Sequence, residues 1–383
     1  MYSTKLFVLF NIFILSLALV NAEIYGLKSQ QEVHDSISVI NVGDNDVRYL
    51  TYFSSLGDFY VSGVTANVDS TGQNADVTTS AFYFSSGTSS ILNLPLSYYY
   101  SYATASVSPG TVNAQGSVAA WAPSAIIEYE ENNGQAGFQL NSSDKVLGWI
   151  RLDLYGNFDI DSTDQTITAT ANGNSISTKV YTIDAVSPDG IFALRFVVSG
   201  APVAIGEDVE ITAEQSKADV VINDYYDSNV NQNSIGCDAS EPFLSCRSTG
   251  PSSNTNSRLA LASFFLAASF EVDANIDNDA VSVDAGDVEI GFNWVKTVSV
   301  NNGQGSANVV AETYASKDGN SFINAKFNGT YSGQLIVHSF DTVRPDTVTW
   351  DPTVGAGISS SSSAAVLKVS AFMLFGLVLT LFI

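Results

Sequence analysis

Apolar and polar residues alternate along most of this chain, and this two-residue period constrains the fold more than any other feature. Segments such as Phe59 to Val68, Val77 to Phe84 and Leu96 to Val107 are rich in Val, Thr, Tyr and Phe, and clusters of Gly, Asn, Asp and Ser separate them. Successive side chains of a strand point to opposite faces, so the alternation is typical of strands with one buried face. The sequence therefore predicts an all-β protein, and no segment shows a convincing amphipathic helix pattern.

Asn-Gly pairs mark several turns between these segments. Asn172-Gly173 lies between Thr166 to Ala171 and Ser175 to Ile183, which predicts a hairpin because both central residues of a tight turn tolerate positive φ. Four later segments predict an antiparallel meander: Val288 to Val300, Ser306 to Tyr314, Phe322 to Phe327 and Tyr331 to Phe340. Many short strands favour a large antiparallel β-sandwich. The sequence leaves open one sandwich or two packed or tandem sandwiches, with a boundary near Ser187.

The segment from Arg258 to Phe270 departs from the alternation. Leu259, Leu261 and Phe264 to Leu266 crowd together within it. A short apolar run of this kind is typical of a strand buried on both faces, and a buried helix is the alternative. We predict the strand.

The start of the chain has the pattern of a secretion signal. Lys5, the apolar stretch from Leu6 to Val20 and the small residue Ala22 predict a signal peptide over residues 1–22. A first membrane helix is the alternative, but the apolar run is short for that and no positive flank follows it. The ectodomain is therefore predicted over residues 23–350.

The last residues, 364–383, are almost wholly apolar, and residues 351–363 before them are predicted to form a serine-rich stalk. Small residues, a polar spacer and a hydrophobic tail form the signal for a glycosylphosphatidylinositol (GPI) anchor, whose attachment removes the tail. The attachment residue is predicted within Gly355 to Ser360, with Gly357 favoured. A tail-anchored helix is the alternative, but the apolar run after Lys368 would reach only about 22 Å, against roughly 30 Å for a bilayer core.

Composition limits the partners of the chain. It carries 15 Lys and Arg against 39 Asp and Glu, a formal net charge of −24. The two terminal segments predicted to be removed contain Lys5 and Lys368 and no acidic residue, so the mature protein is more negative still. Such a protein is repelled by nucleic acid and by anionic lipid surfaces. Hydrophobic residues make up 45% of the chain, which is enough for a core and unlike a disordered acidic tail.

Two kinds of covalent modification are predicted. Cys237 and Cys246 are the only cysteines, and in an oxidising compartment they predict a disulfide within a polar insertion from Asn223 to Ser257. A metal or redox pair is disfavoured because there is no CxxC spacing and no histidine nearby. Asn141 and Asn328 each begin an Asn-x-Ser/Thr sequon at a predicted turn, and both are predicted N-glycosylation sites.

One acidic stretch places oxygen side chains at alternate positions, as calcium-binding loops do. It departs from those loops because Asn278 replaces the glycine of the sharp turn, and strands are predicted on both sides in place of helices. An acidic turn between strands is therefore the preferred interpretation and a calcium site the weaker one. The candidate ligands are Asp273, Asn275, Asp277, Asp279 and Asp284.

No catalytic residue is predicted. The chain has two histidines, His34 and His338, in unrelated contexts, and neither a Gly-x-Ser-x-Gly nor a His-Glu-x-x-His motif. Glycoside hydrolysis needs two carboxyl groups held across a sugar bond. The residues considered for that role are Glu128 and Glu130, which would share a face of one predicted strand, and Glu289 on another.

Aromatic residues offer a further surface hypothesis. Tyr98, Tyr100 and Tyr102 alternate, so a strand would place them on one face. Such a face can stack on sugar rings, but tyrosines are equally at home in sheet cores and cross-strand pairs.

Together these features predict a GPI-anchored, N-glycosylated protein on the outer leaflet of the plasma membrane. It would act without catalysis or cofactor in adhesion, recognition or a surface coat. The anchor would hold it to the membrane, and a glycan or protein on a neighbouring surface would be its ligand. The alternatives are a surface glycoside hydrolase and a calcium-dependent glycan-binding module.

Overall fold

The computed structural model describes the chain from residue 31 to residue 356 with gaps. The residues outside the description are 1–30, 33–37, 42–45, 56–57, 69–73, 86–95, 109–110, 133, 140–143, 153–157, 172–173, 200–202, 206–208, 212–214, 228–250, 269–272, 276–279, 285–288, 316–331 and 357–383. Predictions for the signal peptide, both cysteines, both glycosylation sites, Gly357 and the hydrophobic tail fall on these residues and stay predictions.

The described residues form strands and no α-helix, which confirms the all-β prediction. The strands are β1 (Gln31–Glu32), β2 (Ser38–Asn41), β3 (Asp46–Ser55), β4 (Asp58–Val68), β5 (Asn74–Ser85), β6 (Leu96–Ser108), β7 (Thr111–Glu130), β8 (Lys145–Arg151), β9 (Asp159–Ala171), β10 (Asn174–Val186), β11 (Phe192–Ser199), β12 (Val203–Ile205), β13 (Val209–Ile211), β14 (Gln215–Asn223), β15 (Arg258–Ala268), β16 (Asp273–Asn275), β17 (Ala280–Asp284), β18 (Glu289–Asn293), β19 (Thr297–Val300), β20 (Gly305–Ala315), β21 (Ser332–Phe340), β22 (Thr347–Trp350) and β23 (Thr353–Ala356).

One large antiparallel sheet of 11 strands dominates the fold. Its main order is β3-β4-β5-β6-β7-β15-β21-β20. Strands β1 and β2 pair with β3, and β8 pairs with the second half of β7. Consecutive strands from β3 to β7 are joined in chain order, whereas β15 reaches β7 from far along the sequence.

A second group of strands continues the hydrogen bonding. Here β9, β10, β11 and β14 follow one another, and β14 pairs with both β22 and β23. Strands β16, β17 and β18 extend from β23, and β19 lies between β22 and β20. Strand β20 therefore belongs to both groups. Strands β12 and β13 pair with each other in a separate two-stranded sheet.

The main core lies where side chains of the 11-stranded sheet meet side chains of the second group. Ile126, Leu261 and Ile336 from the large sheet join Phe196 and Trp350 from the second group in one buried cluster. Burying each such side chain stabilises the fold by roughly 1.5–3 kcal/mol. The opposite face of the large sheet carries a smaller buried cluster of its own.

Strand β15 is buried on both faces, as predicted from its sequence. Leu259 and Leu261 belong to the main core, and Ala260, Ala262 and Phe264 belong to the smaller cluster. Its position between β7 and β21 explains the loss of alternation, because neither face needs polar residues.

The hairpin predicted around Asn172-Gly173 is confirmed by its strands, because β10 pairs with β9 from Asn174 opposite Ala171 onward. The two turn residues themselves lie outside the described residues. Between β19 and β20, Asn301, Asn302 and Gly303 have φ of 51°, 55° and 83°, which these residue types tolerate. The predicted meander differs at two steps. The segment from Val288 to Val300 forms two strands, of which only β19 pairs with β20, and β20 pairs directly with β21. The segment Phe322 to Phe327, predicted to lie between them, is outside the described residues.

Two predicted boundaries fall within hydrogen-bonded structure. The turn from Ser187 to Gly190 joins β10 to β11, which are antiparallel neighbours. The stalk was predicted from residue 351, but β23 continues the sheet to Ala356 and pairs with β14 on one side and β18 on the other. The stalk over residues 351–363 stays a prediction, and the small residues Gly355 and Ala356, typical of a linker, also fit a paired strand.

Candidate functional site

Glu128, one of the three acids considered for glycan hydrolysis, is a buried hydrogen-bond acceptor. It lies on β7 with its side chain fully buried. The backbone N–H of Ser252 donates to its Oε2 at 2.9 Å, and the Ser252 hydroxyl donates to its Oε1 at 2.6 Å. Both carboxylate oxygens are therefore engaged by one residue that is distant in sequence.

The other two acids do not join Glu128 in a described site. Glu130 is half-buried near the end of β7, beyond a register shift that follows Glu128 in the pairing with β8. Glu289 begins β18, where its backbone lies opposite Asp284, and its side chain is outside the description. Glu128 is itself withdrawn from solvent, and a joint role of Glu128 and Glu130 on one face stays a prediction.

Arg344 completes a polar cluster around Ser252. Its Nη1 donates to the carbonyl oxygens of Ser252 at 3.0 Å and Asn254 at 2.8 Å, and its backbone N–H donates to the carbonyl of Ser257 at 3.0 Å. Its φ of 45° is unusual for a residue with a side chain and turns the backbone toward these partners. We call Glu128, Tyr226, Ser252, Asn254, Ser257 and Arg344 the Arg344 cluster.

Tyr226 joins the Arg344 cluster through contacts with Arg344 and Ser257. The guanidinium carbon of Arg344 lies 4.1 Å from the centroid of its ring, within cation–π range. The Ser257 hydroxyl donates to the Tyr226 hydroxyl at 3.3 Å. Burial raises the pKa of Tyr226, the bond from Ser257 opposes that shift, and the charge of Glu128 adds to it.

The Arg344 cluster fixes both ends of the predicted polar insertion. Tyr226 lies just before residues 228–250, and Ser252 lies just after them. Cys237 and Cys246, the predicted disulfide, are in that stretch and outside the described residues. The carboxylate of Glu128 and the guanidinium of Arg344 both form hydrogen bonds within the protein, to Ser252 and to the carbonyl oxygens of Ser252 and Asn254. This is the arrangement of a structural clasp.

The candidate calcium ligands lie on and around a hairpin. Asp273 and Asn275 belong to β16, and Asp284 ends β17. Asp273 lies opposite Ser282 in the register, so Asp284 is two residues beyond the partner of Asp273. Asp277 and Asp279 fall outside the described residues. Among the residues that the structure describes, no three acidic, histidine or cysteine side chains form a metal-binding group.

Tyr98, the first of the alternating tyrosines, is a core residue. Its side chain is buried and its ring lies 6.4 Å from that of Phe196, at an interplanar angle of 21°. Tyr100 and Tyr102 lie on the same strand, but their side chains are outside the description.

A row of charges crosses three strands of the second group. Asp184 on β10 lies opposite Arg195 on β11, and Arg195 lies opposite Asp219 on β14. The Nε of Arg195 is 2.6 Å from Asp184, and the Nζ of Lys217 is 2.8 Å from Asp219 and 3.5 Å from Asp351. Burial raises the pKa of Asp219, although Lys217 opposes the shift. The row occupies the face of these strands that points away from the main core.

The structure also reveals a buried histidine that the sequence did not mark as special. His338 lies on β21 within the main core and is fully buried. Its ring is 4.5 Å from that of Trp350, 4.7 Å from that of Trp294 and 5.7 Å from that of Phe292. Burial lowers the pKa of His338 to about 3. The only sequence signal was alternation, which places His338 on one face with Ile336 and Phe340.

No protein-family model matches the chain, and no curated protein matches it.

Proposed function

We propose that this chain matures into a GPI-anchored, N-glycosylated cell-surface protein whose all-β ectodomain serves adhesion, recognition or a surface coat. The proposal rests on the combination of two predicted terminal signals with an all-β region between them. A predicted secretion signal and a predicted anchor signal flank a region in which the described residues form strands joined by turns and loops, with no α-helix. Within that described region, no helix has the length and apolar character to cross a membrane.

We further propose that the ectodomain is a β-sandwich. Side chains of the 11-stranded sheet and of the second strand group meet in one buried cluster. Trp121 with Phe292, and Tyr98 with Phe196, are ring contacts between the two groups. Two sheets that bury facing side chains in this way have the layered arrangement of a sandwich.

The pairing of β23 bears on the choice of attachment residue. Attachment at Gly355 would remove Ala356, which lies opposite Ile290 of β18, whereas attachment at residues 356–360 would leave β23 whole. Within the candidate range Gly355 to Ser360, Gly357 is still favoured. A two-chain lipid anchor holds stably, whereas a single acyl chain gives marginal membrane binding.

The geometry of Glu128 supports a non-catalytic role. A general acid or nucleophile for glycan hydrolysis must reach the sugar bond. Glu128 is fully buried and both of its oxygens accept hydrogen bonds from Ser252. We therefore favour a binding role, in which the acidic ectodomain displayed on the cell binds a glycan or protein on a neighbouring surface.

Treatment of intact cells with a phosphatidylinositol-specific phospholipase C tests the proposal. The protein is expected to move from the cell fraction to the medium. A variant that ends at residue 363 is the control, because without the hydrophobic tail it should be secreted with or without the enzyme. Retention of the full chain on enzyme-treated cells, while a known anchored marker is released, would contradict the proposal.

A further inference from the structure

His338 occupies the middle of the contact between the two strand groups. On β21 it lies opposite Leu261 of β15 and Ala311 of β20, and both neighbours are buried in the main core. From the other side, Phe292, Trp294 and Trp350 surround its ring. The imidazole is therefore enclosed by apolar and aromatic groups from four chain segments.

Neither ring nitrogen of His338 has a hydrogen-bond partner in the part of the chain that the structure describes. A buried polar group without a partner costs free energy, and a buried charge without a partner costs far more. The neutral imidazole can be tolerated here because its ring still packs against three aromatic rings. An imidazolium would have to lose its hydration with no acceptor in return.

No charged group among the described residues offsets that cost. Alternation points Glu312 away from the ring, because it follows Ala311 on β20. Burial is the only cause of the lowered pKa of His338, with no contribution from a neighbouring charge. The other charged residues on or next to the packed segments are Arg258 on β15, Glu289 on β18, Lys296 after Trp294, Asp341 after β21 and Asp351 after β22.

We propose that His338 makes the packing between the two strand groups acid-sensitive, so that proton uptake by its imidazole favours separation of the groups. The direction follows from linkage. An exposed histidine has an ordinary pKa of about 6.5, and the folded value lies well below it. Stability is therefore complete above pH 6.5 and falls as the pH drops, because only the opened or unfolded state binds the proton. The unfolding constant then rises by up to about tenfold per pH unit.

Denaturant unfolding of the wild type and the His338→Leu variant at pH 7.0 and 5.0 tests this proposal. Between these values most carboxylates stay ionised, since ordinary pKa values of Asp and Glu are about 3.9 and 4.3. The unfolding constant of the wild type should rise about 25-fold more than that of the variant between pH 7.0 and 5.0. His34→Gln, which removes the other histidine, is the control for general histidine effects and should keep the wild-type dependence. Equal pH dependence in the wild type and His338→Leu would overturn the proposal.

A second measurement keeps the test decisive if His338→Leu does not fold. In His34→Gln the only imidazole signals in an NMR spectrum are those of His338. The folded protein should show no titration of that ring above about pH 4, in keeping with its burial. A titration midpoint near 6.5 in the folded state would overturn the proposal.

Discussion

The indole of Trp121 stacks on the ring of Phe292, with ring centroids 4.8 Å apart and planes inclined by 14°. Trp121 belongs to β7 in the 11-stranded sheet, and Phe292 belongs to β18 in the second strand group. Both side chains are fully buried. Phe292 also approaches Trp350 and Trp294, at 5.8 and 5.9 Å, so it is the centre of an aromatic contact that joins the two groups.

Phe292→Ala should therefore be among the most damaging single substitutions. Removing a buried phenylalanine costs about 3–5 kcal/mol, because apolar burial is lost and a cavity remains. Chemical denaturation followed by tryptophan fluorescence measures the change. Val295→Ala, at a side chain that is 44% exposed, is the control and should stay within about 0.5 kcal/mol of the wild type. Comparable losses in the two variants would mean that Phe292 does not join the strand groups.

Glu128→Ala tests the Arg344 cluster as a structural clasp. The substitution leaves the Ser252 N–H and hydroxyl without their charged acceptor, and we expect a loss of about 1.5–3 kcal/mol in unfolding free energy. Glu130→Ala, two residues away and half-buried, is the matched control with an expected effect below about 1 kcal/mol. If Glu128→Ala were as stable as Glu130→Ala, the clasp would contribute nothing measurable.

Gly137 and Gly134 form a natural pair for testing a close approach. Both have positive φ, 86° and 72°, so alanine strains the backbone at either position by roughly 1–2 kcal/mol. A Cβ at Gly137 would lie 2.7 Å from Cγ1 of Val310, whereas one at Gly134 meets nothing within 4 Å. Gly137→Ala should therefore cost about 1–3 kcal/mol more than Gly134→Ala in thermal or denaturant unfolding. Equal costs would show that the loop does not pack on Val310.

Strand β9 pairs only with β10 among the described strands. We expect Asp161 to hinder the pairing of another strand with the opposite edge of β9. The N–H of Ser162 donates to Oδ1 of Asp161 at 2.8 Å, which occupies a donor that an added strand would use. Asp161→Ala should increase self-association in light scattering at neutral pH. Asp159→Ala removes an equal charge from the same strand and should have a weaker effect. An identical increase in both variants would point to charge alone, and no increase in either would contradict the edge role.

The local strand pattern could be predicted from the sequence, but the long-range pairing could not. Strands β4, β5 and β6 contain the predicted segments Phe59 to Val68, Val77 to Phe84 and Leu96 to Val107, because alternation and turn residues are local signals. For β7 the sequence marked only the stretch around Glu128 and Glu130, although the strand begins at Thr111. Pro123 hides this continuity, since proline interrupts a ladder. The structure accommodates it where the pairing with β15 shifts register between Ala262 and Ser263.

The two buried polar residues Glu128 and His338 show the same difference between local and long-range signals. Alternation identified Glu128 as notable, but its acceptor role depends on Ser252, which no spacing rule connects to it. Alternation places His338 on the face of Ile336 and Phe340, but the rings that surround it come from other strands and could not be predicted. A cluster assembled from strands that are distant in sequence has no local signature.

Mass spectrometry of the mature protein, purified from the surface of expressing cells and digested, tests the central claim most directly. A GPI-anchored ectodomain should yield a C-terminal peptide that ends between residues 356 and 360 and carries ethanolamine phosphate and glycan mass, with nothing recovered beyond it. Recovery of unmodified peptides that extend past Phe372 would contradict the GPI-anchored ectodomain.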